Sequence, residues 1–114
     1  MDKKLMESIA QAKEYIIKGE FKKCEKLLRQ TMGDFPHEAA PHNLMGLLCE
    51  KKCDHLTAMK HFRAAWSLDP TYVPAVKNLE AFGQIFSEKV YFYDENDCVS
   101  INAVPKKRKA QEVH

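Results

Sequence analysis

Between Ala39 and Pro70 the chain reads AAPHNLMGLLCEKKCDHLTAMKHFRAAWSLDP, and this stretch restricts the folds open to the whole molecule. Apolar residues recur at helical spacing on both sides of Lys52-Cys53-Asp54, a pattern that predicts two amphipathic helices joined by a short turn. Small residues stand where those helices have to cross: Gly46 on the first, Ala58 and Ala65 on the second. Phe62, one turn after Ala58, is large enough to fill the space beside them, and Pro70 stops the second helix. A step of 34 residues toward the N-terminus finds the same order again, carrying Gly46 to Ala12, Cys49 to Tyr15, Ala58 to Cys24, Phe62 to Leu28 and Pro70 to Pro36. Small residues land on small, large apolar on large apolar, proline on proline. The forward step takes His42 and Met45 to Val76 and Leu79, so a third first-helix follows.

A glycine, then A-x3-F, then a proline, at a period of 34, resembles the tetratricopeptide repeat. Lys18-Gly19-Glu20-Phe21 also falls where that family carries a glycine before an aromatic residue. The resemblance covers about residues 5–88. The departures are Gln11, Thr31, His42 and Cys53, where the family favours Leu, Ala, a large aromatic and Gly. The resemblance implies an all-α fold, a short helical-repeat solenoid. Two helix pairs (about 5–38 and 39–72) and a capping helix (about 72–89) would make one domain over residues 1–89, followed by a non-helical C-terminal arm. A repeat of this kind specifies a scaffold rather than a chemistry.

Composition narrows the class. At 114 residues, 45% hydrophobic and 30% charged, the chain is long enough for one domain with a real core. A net charge of +2 is too mild to point to nucleic acid as a partner. No apolar run approaches the roughly 20 residues of a membrane span, and MDKKLMESIAQAKE has no apolar core of a secretory signal. Cys24, Cys49, Cys53 and Cys98 fall mostly where a helix wants a small apolar residue, so the expectation is free thiols in a reducing cytoplasm.

In chain order, the first helix is expected over Leu5–Lys18, with Asp2 at its start and Gly19 as its left-handed stop. Ala12 and Tyr15 face its partner; Met6, Ile9 and Ile16 form a second stripe. The partner, Phe21–Thr31, turns Cys24, Leu27, Leu28 and Thr31 inward and Lys22, Lys23, Lys26 and Arg29 outward. Residues 32–36 (MGDFP) read as the inter-repeat turn. Pro41 and Pro74 fall in the first turns of following helices, where a missing N–H costs nothing. Trp66 and Leu68 are expected to pack toward the third first-helix, Thr71–Lys89, capped by Asp69 or Thr71. Glu80 stands on that helix at the place of Gly46 and Ala12, so no partner helix is expected to cross it, and Phe82 and Phe86 need other cover. Val90-Tyr91-Phe92-Tyr93 and Cys98-Val99-Ser100-Ile101 are β-prone, within an arm of residues 90–104. This arm is expected to fold back on the capping helix, in the same chain or in a second copy, with residues 105–114 a solvated basic tail.

The resemblance also implies a concave groove lined by the first helix of each repeat. Its groove positions here are Met6, Ile9, Lys13 and Ile16; Ala40, Asn43, Leu47 and Glu50; and Pro74, Lys77, Ala81 and Gln84, with Lys51 beside them. An apolar floor flanked by Lys13, Asn43 and Lys77 suits a short peptide with apolar anchors and an acidic group. The expected function is therefore a non-catalytic protein-interaction module or scaffold. The alternative is a structural, self-associating unit, a homodimer for instance, whose groove is filled by its own arm or by another copy. The carboxylate clamp of the family's chaperone adaptors is poorly matched: Ile9, Leu44, Pro74 and Asn78 occupy its positions, with Asn43 and Lys77 as near misses. Cys49, Cys53, His55 and His61 raise zinc, but no C-x2-C pair supports it, and no catalytic set or cofactor motif stands out. Pro105-Lys106-Lys107-Arg108-Lys109 resembles a nuclear-import signal, which would matter in a eukaryotic cell; a solvated tail is the default.

Overall fold

The computed structural model describes residues 2–83 and 91–95, and among these the fold is all-α, with no strand. α1 (Lys3–Lys18) and α2 (Phe21–Asp34) form one helical hairpin, α3 (Ala39–Lys51) and α4 (His55–Leu68) a second, and α5 (Val73–Phe82) packs on α3 and α4. The 34-residue step is visible in the element bounds: α2 and α4 begin and end 34 residues apart, as α3 and α5 begin. No helix among the described residues is long and apolar enough to cross a membrane. Gln84 to Val90 (Phe86 included), the rest of the arm from Asn96 and the basic tail lie outside the described residues.

Local chemistry sets the helix ends. The Asp2 carboxylate accepts from the backbone N–H of Lys4 (2.7 Å) and Leu5 (3.1 Å), which caps α1. Gly19 ends it at φ +80°, its N–H donating to Ile16 O while Glu20 N donates to Tyr15 O. Thirty-four residues later Cys53 makes the same exit at φ +65°, with Cys53 N on Glu50 O and Asp54 N on Cys49 O. The turn keeps its geometry but is carried by a residue with a Cβ, for which the left-handed region is costly. Asp54 then caps α4 through Thr57 N at 3.2 Å.

The core follows the small-residue positions. Gly46 faces Phe62 so closely that a Cβ there would overlap the ring. Ala12, Cys24, Leu28, Ala58 and Ala65 are buried with them. Cys24 Sγ donates to Ala12 O at 3.6 Å, and burial, with the neighbouring Glu25, pushes the pKa of its thiol up to about 12. Thr31, where an alanine was expected, satisfies its hydroxyl on Leu27 O at 2.8 Å.

Three expectations need correcting. α2 does not stop at Thr31 but runs through Gly33 to Asp34. Nothing lies within 4 Å of a Cβ built on Gly33, so the glycine costs only its propensity of about 1 kcal/mol, while Met32 and Phe35 pack against the core. α5 starts at Val73 after the cap residue Tyr72; Asp69 instead organises the preceding turn, accepting from Thr71 N and Thr71 Oγ1. Leu68, expected to pack toward α5, is 37% exposed, and Trp66, though beside α5, is 50% exposed. It lines a shallow groove of about 520 Å³ with Val76 and Leu79, along a flank of α5 that no described helix covers. Glu80 is exposed.

Candidate functional site

α1, α3 and α5 stand side by side, and residues 91–94 cross all three. The crossing is built on two asparagines. Helical spacing puts Asn43 of α3 with Leu47, and Asn78 of α5 with Ala75 and Phe82, on buried stripes. Both side chains are 0% exposed, and a buried primary amide is destabilising unless its donors and acceptor find partners.

Here the partner is a peptide group. Asn78 Oδ1 accepts from Phe92 N at 3.1 Å, and Asn78 Nδ2 donates to Phe92 O at 2.9 Å, so one side chain holds both polar groups of that residue. Asn78 Nδ2 also donates to Asn43 Oδ1 at 2.6 Å. Asn43 Nδ2 in turn donates to Phe92 O at 3.0 Å and reaches Tyr93 O at 3.5 Å. Every donor and acceptor of the two amides is used, as a buried polar network requires. The arrangement reads backbone, as a neighbouring strand would, and places no demand on side-chain identity at that residue.

Side chains complete the contact. Phe92 is 5% exposed and acts as the anchor. Tyr91 sets its ring edge-on to Phe82 at 5.2 Å, and the Lys51 ammonium lies 4.2 Å from its centroid. Burial, with Glu50 and Cys53 nearby, holds the Tyr91 phenol above its ordinary value. Tyr91 and Tyr93 stack at 6.1 Å on one side of the segment, as alternation in an extended chain demands. Asp94 pairs with Lys13 of α1 at 3.2 Å, and the same ammonium stands 5.7 Å from the Tyr93 ring.

Of the residues expected to line a groove, Lys13, Asn43 and Lys51 meet this segment directly. Ile9, Ile16, Ala40, Leu47 and Pro74 are buried, Lys77 and Ala81 are half-buried, and Met6 is 54% exposed. Glu50 is occupied with His55 at 2.6 Å, and Gln84 lies outside the described residues. Asn78 and Phe82 were not among the expected groove residues. The signal for Asn78 was its place one turn before Phe82 on a buried stripe, since a polar residue there must be given a partner. Residues 91–94 meet α5 at Phe82 along the face shared with α3 and α1, not along the flank beside Trp66.

Of the residues that raised zinc, Cys49 and His61 line one pocket and His55 is paired with Glu50. His61 stacks on His42 with Nδ1 atoms 3.3 Å apart, Cys49 is half-buried, and Cys53 is exposed on its turn. Burial lowers both imidazoles, and His42 adds to the effect on His61. Among the described residues no three His, Cys, Asp or Glu side chains are grouped to hold a metal ion. Compared with family models, curated proteins and solved structures, the chain matches none.

Proposed function

We propose that the chain is a non-catalytic protein-interaction module of tetratricopeptide type, whose groove along α1, α3 and α5 holds an extended peptide. One observation carries this reading: Asn43 and Asn78 are fully buried, yet their hydrogen bonds are completed by the backbone of a crossing segment. A surface of this kind is suited to a strand-like ligand with an aromatic anchor and an acidic group, with Lys13 and Lys51 beside it. The 34-residue recurrence of hairpin bounds and turn geometry supports the family reading. No membrane or nucleic-acid partner is required.

The test is selection from a displayed library of short peptides on the full chain, followed by measurement on Asn43→Leu and Lys13→Glu. Binders from the groove lose affinity for both, and the loss on Lys13→Glu shrinks as salt rises. Binders indifferent to both substitutions would put the site elsewhere. Leu47→Asp is not a suitable probe, because Leu47 is buried in the core and a charge there unfolds the protein.

The same segment favours a second reading, since the occupant belongs to the chain itself: a structural unit that fills its own groove or that of a second copy. Light scattering over a range of concentrations tests the exchange between copies. A mass that rises to two supports exchange of the arm; a mass that stays at one chain excludes exchange, and the peptide selection then decides between the interaction module and a unit that fills its own groove.

A further inference from the structure

The groove is already occupied. Resting on the proposed reading, we infer that residues 91–94 are a tethered stand-in for the partner. The partner is then an extended segment with the order aromatic, Phe, aromatic, acid, and it enters by displacing the chain's own copy.

Three features of the contact support this. The backbone of Phe92 is held by side-chain amides alone, a mode that a second peptide can reproduce without any change in the protein. Three side chains of the segment have receptors of their own: Phe82 and Lys51 for the first aromatic, a buried position for the Phe, and Lys13 for the acid, while Tyr93 stacks on Tyr91 and shares Lys13. The receptors come from three different helices, so the specificity belongs to the assembled groove and not to the arm. The two buried amides also explain why the groove is kept filled, since in its absence they lose their partners together.

A tethered occupant has a predictable consequence. On the same chain as its site, it competes at an effective concentration on the order of millimolar. A free ligand is then weakened by the fraction of molecules whose groove is open. The groove answers to a partner that is concentrated, multivalent or bound at a second place, and stays silent to stray aromatic peptides. It is an interaction surface with its threshold set by its own sequence.

The experiment uses the full chain and a fluorescent peptide, Val-Tyr-Phe-Tyr-Asp-Glu, read by anisotropy. In Phe92→Asp the arm is released and the groove is untouched, so the free peptide binds at least about tenfold more tightly than it does to the wild type. Circular dichroism reports whether the helices persist. A second variant stands apart from that change: in Lys13→Glu the preference reverses, and a peptide with Lys in place of Asp outcompetes the parent. Equal affinity of wild type and Phe92→Asp, with no reversal in Lys13→Glu, overturns the inference. If library-selected peptides still depend on Asn43 in that case, the groove remains an interaction site and only the stand-in falls. If they do not, both fall.

Discussion

The two hairpins are built on one plan with the sizes exchanged. In the second hairpin Gly46 lies against Phe62; the positions 34 residues earlier, in the first, are Ala12 and Leu28, both buried. The first pair divides the volume more evenly, while in the second the whole of it is given to the ring. The turns differ in the opposite sense: Gly19 occupies the left-handed exit without cost, and Cys53 occupies it with a Cβ. The second hairpin therefore has the tighter crossing and the more strained turn. A fold set by total volume and backbone direction tolerates both solutions, provided each compensation stays within its own hairpin.

The largest effect should come from breaking that compensation. Gly46→Leu overpacks against Phe62 and should cost about 3 kcal/mol in urea unfolding, whereas Glu80→Leu, at the equivalent place on α5, should change stability by less than about 0.5 kcal/mol. Gly46→Ala should be destabilising alone and largely rescued by Phe62→Leu, which recreates the pairing of the first hairpin. A double-mutant cycle with no coupling between 46 and 62 would contradict the size-exchange account.

Asn78→Leu comes next. It removes the partner of Phe92 N and leaves Asn43 with an unfilled acceptor, for a loss of roughly 1–3 kcal/mol. Gln30→Leu, which places the same leucine on the exposed side of α2, is the matching surface control and should be nearly neutral.

These effects bear on how much was legible in the residues alone. Gly46, Ala58 and Phe62 announced the crossing, because close backbone approach and a large neighbour leave a mark in residue size. Asp2, Gly19 and Pro74 announced helix ends, because each satisfies or omits a backbone group. Gly33 misled: a glycine beside an aspartate marks a turn only if nothing past the expected stop at Thr31 has to be buried, and here Met32 and Phe35 pack against the core. Trp66 misled in the other direction, since its size suggests burial but the flank of α5 beside it has no covering helix among the described residues. The groove was half legible. Lys13, Asn43 and Lys51 came from repeat position, but Asn78 follows Asn43 by 35 residues rather than 34, one step off the repeat. Its role depends on the segment that crosses it, and no spacing within the helices encodes that.

Smaller effects sharpen the comparison of the turns. Cys53→Gly should stabilise by up to about 1 kcal/mol by relieving the left-handed backbone, and Gly19→Ala should destabilise by a similar amount. If Cys53→Gly is neutral, the turn of the second hairpin carries no strain.

The least effect is expected with pH. His42 and His61 are held below the ordinary imidazole value in the folded chain, so the unfolded chain takes up protons first as the pH falls. Stability is therefore undiminished above about pH 6.5 and is lost as the pH falls from there toward the lowered folded values. The urea midpoint should drop on that acid side, and His42→Phe should flatten the slope.

The central claim is that the α1–α3–α5 face holds an extended backbone through Asn43 and Asn78. Hydrogen exchange at the Phe92 amide tests it most directly, because that N–H donates to Asn78 Oδ1 and belongs to no helix or strand. Strong protection in the wild type, lost in Asn78→Leu while the amides of α1 to α4 stay protected, is the predicted result. A Phe92 amide that exchanges in the wild type as fast as an unstructured peptide would contradict the account.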